Sequence, residues 1–238
     1  MEDEIILKDL IDPKYFLMEK FRQQVPGTYK HSQAVAQLAE AIALELGLNI
    51  DMIKAAAMYH DIGKINNPAA FSENQNGTNM HDELDPEISY QIITKHIAES
   101  VMIMIQIPEM PRQVIEWVSQ HHGNTVLGYF ADKAGTADLD IYRYKSNQPQ
   151  SIEAAVLMIC DTIEATVRSL SANGKLKDFE DVIQKSVYRL EMDGQFDNIK
   201  VGQIRKMREV LLSELESGTH HRELYPEDKS EEKNRNKK

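Results

Sequence analysis

"AAAMYHDIGKIN", residues 55–66, closes an apolar run with a histidine and an aspartate side by side. Polar groups in that position must be paired, or they cost stability. His60 follows Ile53 and Ala56 by seven and four residues, so on a helix it shares their apolar face. The fold therefore depends on where the partners of His60 and Asp61 lie.

The same pattern recurs along the chain. His31 precedes Val35, Leu38 and Ile42 at helical spacing, with Gly47 as a stop. His96 follows Ile88 and Ile92 in steps of four, and His122, beside His121, follows Ile115 and Val118. Asp161 shares a face with Ala154, Leu157, Met158 and Ala165 in "AAVLMICDTIEA". Taken singly, an inward histidine is most simply a hydrogen-bonded core residue. Several of them, with two carboxylates, on separate helices would each need a private buried partner. Metal ions would satisfy them together, because neutral imidazole and carboxylate are good ligands and helix bundles build such sites from facing helices. The expected fold is all-α, a helical bundle with metal ions held in its core. His220 and His221 sit in a polar C-terminal stretch and read as solvated. His81-Asp82 repeats the dipeptide in a polar loop, without an apolar run before it.

Strand signals are weak throughout. Asp51 is placed to cap the helix that carries His60. "NNPAAFSENQNGTNMHDELDP", residues 66–86, breaks all periodicity and reads as a long loop, a frequent form of lid or binding segment. Asp85-Pro86 is a cap followed by proline at the first helical position. "IPEMP" at 107–111 separates a helix bearing Val114, Ile115, Trp117 and Val118, where Trp117 reads as core. Residues 123–150 carry no clear assignment. Ser151 is placed to cap a long helix through about Leu170, and helices are expected near 178–190 and 203–216. The expected organisation is a helical lead-in over 1–25, a main domain over 26–216 and a polar tail over 217–238.

Composition narrows the function. The 238 residues hold 38 acids against 27 bases, a formal charge of −11, which offers no general field for long DNA or RNA. A small anionic substrate remains compatible, because a metal inverts the local charge. The single cysteine, Cys160, gives no disulfide framework and no thiolate zinc site, which fits a reducing cytoplasmic compartment. Val101–Ile107 is too short to span a bilayer, and "MEDEII" is unlike a signal peptide. No membrane insertion by this chain is expected, although it can be the cytoplasmic piece of a membrane-anchored protein. Oligomeric state is not legible.

His31, "HDIGK" at 60–64, His96, His121-His122 and Asp161 together resemble the ordered pattern of the HD-domain metal-dependent phosphohydrolases. More closely, "PGTYKHS", "YHDIGKINNPAAFSENQ", "MHDELDP" and "QHHGNTVLGYF" resemble the cytoplasmic HD domain of the seven-transmembrane HD family of bacterial cyclic di-AMP phosphodiesterases. The similarity covers about Pro26 to Leu170. It implies one metal held by His31, His60, Asp61 and Asp161, and a second by His96, His121 and His122, with Asp61 shared. Two departures stand out. The family's membrane helices are absent from this sequence, and Gly128-Tyr129-Phe130 lacks the proline of the Gly-Tyr-Pro element found in the related cyclic di-GMP subgroup.

The implied activity is hydrolysis of a cyclic dinucleotide, a second messenger, with cyclic di-AMP opened to linear pApA by a two-metal activated hydroxide. Other nucleotides remain open as substrates: cyclic di-GMP, a dinucleoside polyphosphate or a nucleoside monophosphate. A non-catalytic nucleotide-binding regulatory domain also remains open, although every expected ligand position is filled. An imidazole-rich set favours iron or manganese over magnesium. Asp61 and Lys64 are the expected catalytic residues, Lys64 lying one helical turn beyond His60 within reach of a phosphate oxygen. Asn74 and Gln75 are candidate substrate contacts from the loop, and His81 a candidate lid residue.

Overall fold

The computed structural model describes residues 6–217, except 76 and 78. Residues past Ser217, including His220, His221 and the rest of the polar C-terminal stretch, lie outside the described residues. Ten α-helices occur among those described: α1 (Leu7–Leu10), α2 (Phe16–Gln24), α3 (Pro26–Leu46), α4 (Ile50–Tyr59), α5 (Pro86–Met104), α6 (Arg112–Ser119), α7 (Gly128–Ala134), α8 (Ile152–Ala172), α9 (Phe179–Met192) and α10 (Val201–Glu216). The only β pairing among them is an isolated antiparallel bridge, Val126 to Arg143. The all-α expectation holds. No helix among the described residues is long and apolar enough to cross a membrane.

Local chemistry sets the ends of these helices. Gly47 closes α3 in the left-handed conformation, at φ 66°, which side chains resist. Asn49, not Asp51, caps α4: its side chain accepts from the Met52 amide, and Asp51 falls in the first turn, where its charge complements the helix dipole. Asp85, Ser151 and Asp178 cap α5, α8 and α9 through their side chains.

α3 is the hub. It packs on α4, α8 and α10, while α6 packs on α4, α5 and α8. Ile42, Ile53, Tyr59, Val118, Leu157 and Ile159 are fully buried between them, and Trp117 joins the same core. The Tyr59 hydroxyl donates to the Leu10 carbonyl at 2.8 Å and ties α1 to α4.

The 66–86 segment is not a featureless loop. After a 3-10 turn at Ile62–Asn66 it winds through further short ones at Pro68–Ala70, Ser72–Asn74 and Met80–Asp82. Such turns satisfy backbone groups locally without a hydrophobic period, so a search for helical spacing passes over them. The unassigned 123–150 region holds α7, a 3-10 turn at Leu139–Tyr142 and the isolated bridge. Phe130, Ala131 and Tyr142 form a small satellite core there, with Tyr90 and Ile93 of α5 against it.

Candidate metal centre

Gly63 explains how the HD turn reaches its partners. A Cβ at Gly63 would lie 2.4 Å from the His96 carbonyl and 2.5 Å from the Ser100 amide, and the Gly63 amide donates to Ser100 Oγ at 2.9 Å. The turn after α4 therefore lies directly on α5, and His60 and Asp61 meet His96. α3 brings in His31, α8 brings in Asp161, and the turn after α6 brings in His121 and His122. That turn corrects the sequence expectation: α6 ends at Ser119, so the double histidine lies beyond the helix, with His121 fully buried and His122 partly open.

These residues form two groups. His31, His60 and Asp161 offer ligand atoms within 4.8 Å of one another, and so do His96, His121 and His122. Asp61 stands between them. Its Oδ2 lies 3.2 Å from His60 Nε2 and 3.8 Å from His31 Nε2, while its Oδ1 lies 3.3 Å from His96 Nε2 and 4.0 Å from His121 Nε2. Asp161 also spans outward, with Oδ1 3.0 Å from His31 Nε2 and Oδ2 3.6 Å from His122 Nδ1.

The hydrogen bonds show which ring nitrogens are free. His60, His96 and His121 each donate from Nδ1 to the carbonyl three residues earlier, Ala57, Ile93 and Val118, at 2.6–2.7 Å. A carbonyl can only accept, so each neutral ring keeps its Nε2 as a lone pair. His96 Nε2 and His121 Nε2 then face each other at 3.3 Å, lone pair to lone pair. His60 Nε2 and Asp61 Oδ1 are buried with no hydrogen-bond partner among the described residues. Acceptors aimed at one another in a dry pocket repel unless a cation lies between them. The donor set thus fits divalent metal, and the cluster could hold it.

Electrostatics agree. Burial pushes His96 and His121 below the ordinary imidazole range and lowers His122 to about 3, so all three rings are neutral at physiological pH, the form in which imidazole could bind a metal. Burial also opposes charge on His31, but Glu164 and Asp161 outweigh it and raise its pKa to about 10. Carboxylates that retain a proton on an imidazole this strongly are equally suited to holding a divalent ion in its place.

Two carboxylates that sequence reasoning missed support the centre. Glu164, buried one turn beyond Asp161 on α8, accepts from His31 Nδ1 and leaves Nε2 to face the cluster. Glu73, in the winding segment, accepts from Lys64 Nζ at 2.8 Å and from Thr28 Oγ1 at 3.0 Å. Lys64 Nζ also sits 2.6 Å from Asp61 Oδ2 and over the Phe71 ring. The neighbouring positive charge of Lys64 overcomes burial and holds Glu73 down at about 2.

The remaining candidates have these positions. Asn74 Oδ1 accepts from the Gly27 and Thr28 amides and so caps the start of α3, while its amide donates to Thr28 Oγ1. Gln75 donates to the Ala69 carbonyl and Asn79 Oδ1. His81 is buried, donates from Nε2 to the Ala70 carbonyl and packs edge-on against Phe130. Lys64 alone of the loop-side candidates touches the cluster.

A cleft of about 650 Å³ opens from the cluster at His122 and Asp161 and runs past Tyr144 toward Tyr188 and Met192 of α9. It is large enough for a nucleotide.

The chain is similar to known proteins over most of its length. It is 38% identical over 230 residues to the cyclic-di-AMP phosphodiesterase PgpH of Listeria monocytogenes, covering 94% of this chain and 32% of that protein. Against the Bacillus subtilis protein of the same name it is 34% identical over 228 residues, covering 93% of this chain and 32% of the other. The chain thus spans about a third of the length of these curated relatives. The crystal structure of the L. monocytogenes PgpH HD domain in complex with cyclic-di-AMP matches with a TM-score of 0.78 and 35% identity, covering 87% of this chain and 99% of that one. The HD domain family model matches residues 28–166, which take in His31, the HD turn, His96, the double histidine and Asp161, and the chain belongs to the HD domain family.

Proposed function

We propose that this chain is a metal-dependent phosphodiesterase that opens cyclic di-AMP to linear pApA. The observation that carries the reading is Asp61, which turns one carboxylate oxygen to each of two ligand groups in a buried, imidazole-rich pocket. The named activity of the relatives and the bound ligand of the matched structure support the substrate.

His31, His60 and Asp161 would hold one ion, and His96, His121 and His122 the other, with Asp61 common to both. When bound, two divalent ions supply an acidified water as nucleophile and polarise the phosphoryl oxygens. The chain's own residues do the rest. Asp61 and Asp161 leave the loaded centre, with its hydroxide, at a net charge of about plus one, suited to one phosphodiester. Lys64 and Glu73 cancel each other, and the pair fixes Asp61 from the side. The apolar walls around the imidazoles limit water and so strengthen every charge contact within. The cleft beyond His122 leaves room for the remaining nucleotide. We assign the ions as iron or manganese, because imidazole donors suit them better than magnesium.

The test is a hydrolysis panel of cyclic di-AMP, cyclic di-GMP and mononucleotides with metal-loaded protein, products separated by chromatography. Cyclic di-AMP should give pApA fastest. Chelation should abolish turnover, and manganese or ferrous iron should restore it better than magnesium. Equal rates on both cyclic dinucleotides would overturn the base preference, and a magnesium-only requirement would overturn the ligand assignment.

A further inference from the structure

Four of the five cluster histidines have one nitrogen fixed by a hydrogen bond: His60, His96 and His121 by carbonyls, and His31 by Glu164. His122 has none of these. Its ring lies instead against Tyr144, stacked at 4.5 Å between centroids with only 23° between planes. Tyr144 is itself rigidly held. Its amide donates to the Thr125 carbonyl at 2.9 Å, beside the isolated bridge, and the preceding carbonyl accepts from the Tyr90 hydroxyl at 2.6 Å. The Arg143 side chain is clamped by Asp140, Asp193 and the Asn124 carbonyl. The position of the phenol is therefore set before any ligand arrives.

Its hydroxyl has no such commitment. Tyr144 is 5% exposed; its hydroxyl takes no hydrogen bond from a described residue and is not among the fully buried unpartnered atoms, so its open part faces the cleft that the ring lines. The ring lines the cleft at the point where His122 and Asp161 open into it. The ring centroid lies 4.5 Å from that of His122 and 6.4 Å from that of His96, which puts it over the cluster, not at the far end of the cleft. A phenol that opens onto a site for an anion, with no acceptor supplied by the protein, is a donor free to meet one on the ligand.

We propose that Tyr144 is a substrate contact: its ring holds His122 by stacking, and its hydroxyl donates a hydrogen bond to a phosphoryl oxygen of the phosphodiester seated at the centre. This rests on the phosphodiesterase reading above. An unperturbed phenol is protonated at neutral pH and needs no titration to donate. Nothing is transferred covalently. The hydroxyl replaces one of the waters that a phosphate gives up on entering.

The test compares Tyr144→Phe, which keeps the ring, with Tyr144→Leu, which removes it. The probe is inorganic phosphate, titrated calorimetrically into the manganese-loaded protein, with bound metal measured in parallel. Tyr144→Phe should retain the wild-type metal content and bind phosphate roughly tenfold more weakly, the loss expected for one hydrogen bond to a charged group. Its kcat/KM on cyclic di-AMP should fall by a similar factor. Tyr144→Leu should also bind less metal, because His122 is no longer held. Unchanged phosphate affinity in Tyr144→Phe, or no phosphate binding by the wild type, would overturn the contact. Loss of metal from Tyr144→Phe equal to that from Tyr144→Leu would reduce Tyr144 to a packing residue. Phosphate binding that depends on the hydroxyl, without turnover of any cyclic dinucleotide, would overturn the proposed substrate and leave the contact standing.

Discussion

The chain contains the dipeptide His-Asp twice, and the two copies live in opposite surroundings. His60-Asp61 ends an apolar helix, is buried, and points its free atoms at imidazoles and a carboxylate from α3, α5, α8 and the turn after α6. His81-Asp82 lies in a 3-10 turn of the winding segment. There the His81 ring donates to the Ala70 carbonyl, and Asp82 meets the exposed Tyr129 hydroxyl. Lys133 of α7 donates to the carbonyls of His81, Asp82 and Leu84, so the second copy is fastened through its backbone. The difference lies in the free nitrogen. In the first copy the local carbonyl takes Nδ1 and leaves Nε2 facing Asp61 and the other residues of the cluster. In the second a carbonyl takes Nε2, and His81 belongs to neither ligand group.

Removing the aspartate from each copy tests the contrast most directly. Asp61→Ala should lose both metals and fall to background activity, because it deletes the carboxylate that stands between the two groups with one oxygen toward each. Asp82→Ala should keep its metals and shift stability by less than about 0.5 kcal/mol, as an exposed surface change does. Elemental analysis of both purified variants decides it, and equal metal content would break the comparison. Asp161→Ala sharpens it further by depleting mainly the ion on the His31 side.

Next in size is Glu164→Leu. Losing the acceptor behind His31 should weaken metal binding about 10- to 100-fold, and Glu164→Gln should recover much of that, since its carbonyl still accepts from Nδ1. Competition with a chromogenic chelator would measure both. Identical affinities for the leucine variant and wild type would show that His31 needs no support.

Glu73→Gln probes the link between the winding segment and the first HD copy. The pKa of Glu73 is depressed in the fold to about 2, from an ordinary 4.5, by the opposing effects of burial and the stronger pull of Lys64. Its contribution is therefore present above about pH 4.5 and fades as pH falls through about 2. On metal-free protein the variant should lose stability on the order of 3 kcal/mol at neutral pH, and the gap to wild type should shrink on acidification. Urea titrations at pH 7 and pH 3 would read this. A gap that stays constant would mean that the Glu73 charge does no work.

The smallest effect belongs to the second copy's ring. His81→Gln should cost about 1 kcal/mol, the worth of one buried hydrogen bond, and leave metal content untouched. Metal loss in this variant would erase the distinction between the two copies.

Much of this contrast is legible in the sequence. Helical spacing put His31, His60, His96 and Asp161 on apolar faces, and the structure brings all four together. His122 converges too, but from a turn, because α6 stops at Ser119 and the following turn keeps it pointed inward. Glu164 carries a readable signal, three residues from Asp161 in the same apolar stretch, but glutamate is ordinarily a surface residue, so its type does not mark it as buried. Glu73 carried no such signal: it reaches Lys64 through 3-10 turns that follow no hydrophobic period. Asn74, which reads as a turn residue or substrate contact, spends its amide capping α3 across 46 residues of sequence, a long-range bond that spacing cannot express. Tyr144 lay in the one region without an assignment, where an isolated bridge and a short helix replace any repeating pattern.

The bonds from His60, His96 and His121 to carbonyls three residues back have a consequence for wear. Each ring is aimed by its own four-residue segment, so a ligand and its aim travel as one small rigid part. Loosening the bundle elsewhere would shift these parts relative to one another without spinning the rings out of line. The centre should then fail gradually, like a vice opening, with affinity falling as the gap widens and the tautomers unchanged.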